Sequence, residues 1–340
     1  MNKPSKINSA ILWAAAGVGL LVGMRLISEI RRYQLRNKVV LITGGSRGLG
    51  LILARQLLEK GAKVAICSRT GDQLENARKE LDLHGDVFAV KCDVTDESQV
   101  RHLVESVVSR FGQLDILINN AGIMQIGPQS VMTTMEYDEA MNVHFWGPLY
   151  MIKACLPHFI KSKAGKIINI SSIGGKVAVP HMLPYSASKF ALVGLSEGMQ
   201  YELKRENIQV MTVTPYLMRT GSPRNITVKG NHEKEYAWFK TAGSSPVISQ
   251  EPRESAKKII HAIEYNKARP SLSFVERQAS LFKELTPGLF GFLMTTFNSL
   301  LPESGSAGNL SKKGYESESA ASQNAHARAG DAAALRNNEY

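Results

Sequence analysis

The chain has 340 residues, 44% hydrophobic and 21% charged, values that suit a folded domain with a sizeable core and exclude a disordered chain or a polytopic membrane protein. Its formal charge of +11 does not point to nucleic acid, because more than half of the excess lies in residues 1 to 38, where Lys3, Lys6, Arg25, Arg31, Arg32, Arg36 and Lys38 stand against Glu29 alone. Cys67, Cys92 and Cys155 have no metal-ligand spacing, so no metal site is expected and they read as reduced core residues of a cytosolic domain.

From Ile7 to Met24 the sequence is uncharged, and Arg25, Arg31, Arg32 and Arg36 follow it. Those 18 residues just suffice to cross a bilayer. The basic flank opposes cleavage and export as a signal peptide, and a helix lying on the membrane surface is the other reading. Residues 1–37 are therefore expected to anchor the protein to membrane lipid, with the folded domain facing the cytoplasm.

From Lys38 to Pro270 short apolar runs alternate with helical stretches: VVLIT, a helix over about 48 to 60, VAICS, a helix over 72 to 82, VFAVKCDV, a helix over 97 to 111, LDILINNAG, then KIINIS and IQVMTVT. That alternation predicts an α/β single domain, a Rossmann-like doubly wound parallel sheet with helices on both faces. The first strand runs into Thr43, Gly44, Gly45, Ser46, Arg47, Gly48, Leu49 and Gly50 directly before a helix. Free backbone N–H groups and the helix dipole favour a pyrophosphate there.

The spacing TGxxxGxG resembles the short-chain dehydrogenase/reductase family, and later motifs extend the resemblance over about residues 38 to 265. Asn119, Asn120, Ala121 and Gly122 match the family's NNAG element, Ser172 lies in a Ser-Ser-Ile-Gly stretch, and Tyr185 with Lys189 matches YxxxK. The resemblance implies oxidoreduction of a carbonyl and alcohol pair with a nicotinamide cofactor. It implies that Asn142 positions a water, that Ser172 binds the substrate oxygen, that Tyr185 gives it a proton, and that Lys189 supports the tyrosine and holds the nicotinamide ribose. Tyr185 and Lys189, four apart, share a helix face, and an ammonium beside the phenol is expected to lower the tyrosine towards working pH. Asp93 with Val94 matches the adenine-contacting pair, and Thr220 the carboxamide contact. Pro215 is followed by Tyr216 where the family usually has glycine, which puts cofactor affinity or pocket width in question.

The second strand ends at Ser68 and Arg69 without the carboxylate that would hold an NAD ribose, and Arg47 lies in the glycine-rich turn. Two guanidiniums and no carboxylate point to NADP(H).

Tyr236, Trp238 and Phe239, with Met182, Leu183 and Met218, suggest an apolar substrate wall. A lipid-like or steroid-like ketone or aldehyde is the expected class. A small soluble carbonyl or quinone is the alternative, and a non-catalytic NADP(H)-binding membrane scaffold is a third reading that the complete set of catalytic residues disfavours. A homo-oligomer is compatible with the resemblance. Residues 271–301 form an apolar extension read as a helix packed on the domain, with a substrate lid or a membrane-dipping helix as alternatives. Beyond Pro302 the chain, rich in Ser, Ala, Gly and Asn, is expected to be disordered.

Overall fold

The computed structural model describes residues 13, 29–30, 32–245, 249–305 and 310–340, so the segment read as an anchor lies almost wholly outside the described residues. No described helix is long and apolar enough to cross a membrane. In chain order the elements are β1 (Val39–Thr43), α1 (Gly48–Glu59), β2 (Lys63–Ser68), α2 (Gly71–Leu81), β3 (Val87–Lys91), α3 (Glu97–Phe111), β4 (Ile116–Asn119), β5 (Gln125–Ile126) and α4 (Thr134–Met141). A π-helical turn (Asn142–Trp146) leads into α5 (Gly147–Ser162), followed by β6 (Gly165–Ile170), α6 (Leu183–Glu202), β7 (Ile208–Val213), β8 (Thr227–Val228), α7 (His232–Ser244), α8 (Pro252–Glu264), α9 (Phe274–Leu285), α10 (Pro287–Ser299), β9 (Lys312–Lys313) and α11 (Ala325–Arg336).

Six strands form one sheet in the order β3-β2-β1-β4-β6-β7, all parallel. The chain winds outward first one way from β1 and then the other, which places a crevice between β1 and β4 at the carboxyl ends of the strands. Both sheet faces are covered because side chains alternate along each strand. Val40 and Ile42 join Leu53, Leu57, Ile259 and Ile263 in one core, whereas Val39 and Leu41 join Leu103, Val107, Ile152 and Phe159 in the other. Each buried Leu or Ile contributes about 1.5–3 kcal/mol. Cys67, Cys92 and Cys155 are free and buried in the second core.

Three boundaries differ from the sequence reading. The packed domain starts before residue 38: Leu35 is buried, Tyr33 N–H donates to the Glu264 carbonyl at 2.8 Å, and Arg32 and Lys60 both pair with the Glu264 carboxylate. The apolar extension is two helices, broken at Thr286 with Pro287 starting the second, and α10 buries none of its residues; Phe282, Leu285, Leu289, Phe292 and Leu293 are exposed. Thirdly, the stretch expected to be disordered is folded onto the domain from residue 310 onward. Its composition offers little large apolar surface, but small residues allow close approach. Ala327, Ala333 and Ala334 are buried, α11 packs on α7, and a side chain at Gly221 would strike the Ala334 backbone at 2.3 Å. Asn324 caps α11 by accepting from Ala327 N–H, and Lys240 pairs with Glu318 and Asp331.

Candidate active site

The glycine-rich turn is held in shape by the chain itself. Asn120 Nδ2 donates to the carbonyls of Thr43 and Gly44, each at 3.0 Å, while Thr43 Oγ1 accepts from the N–H groups of Asn120 and Ala121. Asn120, expected to touch a cofactor, therefore ties the turn after β1 to the turn after β4. Gly44 and Gly48 sit at φ of +64° and +56°, where a side chain is strained. Leu49 and Gly50 are buried in the first turn of α1, which has no acidic residue and no side-chain cap, so its first N–H groups take no partner from the N-cap residue.

At the end of β2, Ser68 is half-buried and Arg69 is exposed, its guanidinium 3.8 Å from Asp93. Asp93 Oδ1 accepts from both N–H and Oγ1 of Thr95, and Val94 is buried. Pro215 accepts from Ile173 N–H through its carbonyl. Tyr216 after it is not in the left-handed region, so it carries none of the backbone strain that a glycine position would impose. Thr220 is buried and bonded to Ser222.

The catalytic candidates converge beyond the end of β6. Helix α6 carries Tyr185 and Lys189 on one buried face. Lys189 Nζ donates to the Ile170 carbonyl at 3.0 Å and lies 5.7 Å from the Tyr185 ring centre. Ser172 begins a short turn, accepting from Gly174 N–H at 3.0 Å, which leaves its hydroxyl on the Tyr185 side of the turn. Ser171 is turned away, donating to the Lys189 carbonyl. A side chain at Gly174 would meet the Tyr185 ring at 3.1 Å, so this glycine permits the close approach.

Burial sets the electrostatics. It raises Tyr185 above its ordinary value, with the Ser172 hydroxyl opposing the shift, and pushes Lys189 down to about 7. This corrects the expectation that a lysine ammonium pulls the tyrosine down. In this water-poor centre both groups favour their neutral forms, which leaves the proton on the phenol.

Asn142 does not join the cluster. It is exposed, and its side chain has no hydrogen-bond partner among the described residues. The π-helical turn is wider than an α-turn and brings His144, two residues on, into the centre instead. His144 is fully buried; its Nδ1 is 2.7 Å from Ser188 Oγ, its Nε2 accepts from Ile123 N–H at 3.1 Å, and its ring meets Tyr185 edge-on at 5.4 Å. Burial and the nearby Lys189 hold His144 well below its ordinary value. The signal in the sequence was a lone polar residue inside the apolar run Val143, Phe145 and Trp146.

The aromatic residues read as a substrate wall are largely internal. Tyr236 and Phe239 are buried with Met182 and Tyr185, and Trp238 packs against them. Met218 belongs to the core on the other side, and Leu183 is exposed. Glu235, wholly buried, accepts from Trp238 Nε1 and bonds His181, which fixes this wall beside Tyr185.

The family profile described as short chain dehydrogenase matches residues 38–229. A dehydrogenase/reductase SDR family protein 7-like from Anopheles gambiae is 33% identical over 76% of this chain and 83% of its own. A 3-ketodihydrosphingosine reductase from Bacteroides thetaiotaomicron is 40% identical over 59% of this chain and 72% of its own. Among solved structures, a short-chain dehydrogenase from Streptomyces avermitilis aligns with a TM-score of 0.64 at 26% identity, covering 77% of this chain and 98% of that one.

Proposed function

The chain belongs to the short-chain dehydrogenase family, and from that premise we propose that it reduces an apolar ketone or aldehyde to the alcohol with NADPH. The carrying observation is the cluster at the carboxyl end of β6, where Tyr185 and Lys189 are buried and the half-buried Ser172 lies beside them. When bound, the nicotinamide supplies or accepts the hydride. The remaining work falls to the chain. Ser172 Oγ hydrogen-bonds the carbonyl oxygen and holds it within reach of Tyr185, whose phenol gives that oxygen its proton. Lys189, which burial depresses to about 7, returns the replacement proton towards the phenol. His144 holds the Ile123 turn and α6 at a fixed separation around them.

The site's fit to a dinucleotide rests on the uncapped start of α1 and on an anion already seated there: the Glu339 carboxylate pairs with Arg47 and lies against Gly48. Thr43, Gly44, Ser46, Arg47, Gly48, Leu49 and Gly50 would line the pyrophosphate, Asp93 and Val94 the adenine, and Ala121, Gly122, Pro215 and Thr220 the nicotinamide side. Arg47 and Arg69, with no carboxylate at the end of β2, support the 2′-phosphate of NADP(H).

An apolar substrate is supported by the packing of Met182, Tyr236, Phe239 and Trp238 around Tyr185 and by the relative that bears a sphingoid ketone in its name. Membrane attachment with the domain on the cytoplasmic side is part of the same proposal. It rests on the apolar run from 7 to 24 with its basic flank and on the exposed apolar side chains of α9 and α10. Release of the protein from membranes by salt alone, without alkaline carbonate, would refute a spanning anchor.

The test is NADPH oxidation by detergent-solubilised protein against carbonyls graded from small aldehydes and quinones to long-chain and steroidal ketones. Turnover rising with apolar length supports the proposal. Turnover confined to small polar carbonyls replaces the substrate class, and silence with NADPH binding intact leaves a scaffold.

A further inference from the structure

The segment that follows α11 occupies the glycine-rich turn. Gly48 N–H donates to the Asn337 carbonyl at 2.9 Å, and Asn337 Nδ2 donates to the Thr220 carbonyl at 2.9 Å. Asn338 Nδ2 donates to the carbonyls of Ser46 and Gln73, both at 2.9 Å. Glu339, 2% exposed, accepts from Arg47 at 2.9 Å and from Asn225 at 2.8 Å, and its Oε1 lies 2.8 Å from where a side chain on Gly48 would begin. The Tyr340 ring lies under the Arg224 guanidinium at 3.9 Å, and its carbonyl accepts from Gln73.

These are the groups assigned above to the cofactor: Ser46, Arg47, Gly48 and Thr220. Each is engaged by Asn337, Asn338 or Glu339. A helix start with free N–H groups and an adjacent guanidinium attracts an anion of any origin, and a carboxylate answers that field as a phosphate does. The same few ångströms cannot hold both, because the oxygens would overlap and their charges repel.

We propose that the glycine-rich turn is also a binding site for an acidic peptide, the chain's own Asn337–Glu339 segment, which seats a carboxylate in the phosphate position and must withdraw before the dinucleotide enters. The proposal rests on reading this turn as the cofactor site. The route for withdrawal is built in. Helix α11 contributes the small residues Ala327, Ala333 and Ala334 to its packing on α7, with Leu335 exposed, and no residue of the segment belongs to either core of the sheet, so it leaves without opening them. Its docked fraction then divides the cofactor's affinity: a segment docked about nine-tenths of the time weakens apparent binding about tenfold.

The experiment uses the full chain. NADPH is titrated by fluorescence into the wild type and the double variant Asn338→Ala/Glu339→Ala, with NADH alongside, and amide hydrogen exchange of residues 325–340 is followed in the wild type with and without saturating NADPH. The expected results are tighter binding by the variant, by about threefold or more, and faster exchange in 325–340 on adding NADPH. Equal or weaker NADPH binding by a folded variant, or slower exchange of the segment when NADPH binds, would overturn the inference and leave the cofactor reading in place. The exchange measurement needs no substitution, so it decides the matter even if the variant does not fold. Failure of either protein to bind NADPH or NADH would remove the reading of the site itself, and the inference with it.

Discussion

His144 bridges the turn after β4 and helix α6: its Nδ1 meets Ser188 Oγ at 2.7 Å while its Nε2 takes the Ile123 N–H at 3.1 Å. Because Nε2 accepts, Nδ1 must carry the ring proton and donate to Ser188, whose own hydroxyl proton goes to the Tyr185 carbonyl at 2.9 Å. The imidazole thereby fixes the turn after β4 relative to the helix that bears Tyr185 and Lys189.

Replacing His144 tests whether this bridge positions the chemistry. His144→Ala leaves the partly buried Ile123 N–H without a partner, at about 1–3 kcal/mol, and removes the donor to the Ser188 hydroxyl, so it should lower both the melting temperature and kcat. His144→Asn, which can also donate and accept, should recover most of a roughly tenfold loss in kcat with little change in the KM for substrate. Recovery of stability without recovery of kcat would reduce His144 to a packing residue. Asn142→Ala, by contrast, should leave kcat within about twofold, since its side chain stands exposed outside the centre.

Tyr185→Phe removes the proton donor while keeping the ring in its packing against His144 and Gly174. Carbonyl reduction should fall by at least about a thousandfold with NADPH binding unchanged within about twofold. Reduction persisting near the wild-type rate would remove Tyr185 from the chemistry.

The pH dependence follows from Lys189, which burial depresses to about 7. On the proposed mechanism reduction consumes a proton supplied to the phenol by Lys189, so kcat/KM for reduction should be flat below pH 7 and fall above it. Alcohol oxidation should rise over the same interval. The sign for stability is fixed too: the folded chain holds fewer protons on this lysine than the unfolded chain between about 7 and the ordinary value of 10.5, so this group's contribution to stability increases with pH across that window. A reduction profile level to pH 9 would contradict this role.

Arg69 is exposed and only loosely paired, at 3.8 Å from Asp93. If it meets the 2′-phosphate, Arg69→Ala should raise the KM for NADPH about tenfold and leave that for NADH nearly unchanged, because only one of the two cofactors carries the phosphate. Equal effects on both would assign the arginine to the adenine or to the fold.

What was legible in the sequence was governed by short-range pattern. The runs VVLIT, VAICS and KIINIS supplied β1 and most of β2 and β6, because only a doubly covered parallel strand buries successive side chains on both of its faces. Tyr185 and Lys189 lay four apart on a helix, so their shared face followed from helical geometry alone. His144 was hidden because the π-helical turn shifts which residue faces inward, a change no 3.6-residue periodicity registers. The segment 310–340 was missed for a different reason: Asn337, Asn338 and Glu339 are ordered by partners nearly 300 positions away, at Ser46, Arg47 and Gly48, and composition carries no record of them.

The glycine-rich turn itself can be separated into positions that need glycine and positions that do not. A methyl group at Gly50 would sit 2.2 Å from the Gly44 carbonyl oxygen and 2.6 Å from Asn120 Nδ2, two groups hydrogen-bonded to each other and to the end of β1. Nothing there can yield without opening the turn, so Gly50→Ala should lower the melting temperature by several degrees and weaken NADPH binding by more than about tenfold. Gly71, at the start of α2, meets nothing within 4 Å and is absent from the left-handed residues. Gly71→Ala should therefore leave NADPH binding unchanged and stabilise the fold slightly, by up to about 1 kcal/mol, through the entropy lost from the unfolded chain. Similar behaviour of the two variants in melting and titration would mean that close packing between the Gly44 turn and Asn120 does not govern the cofactor site.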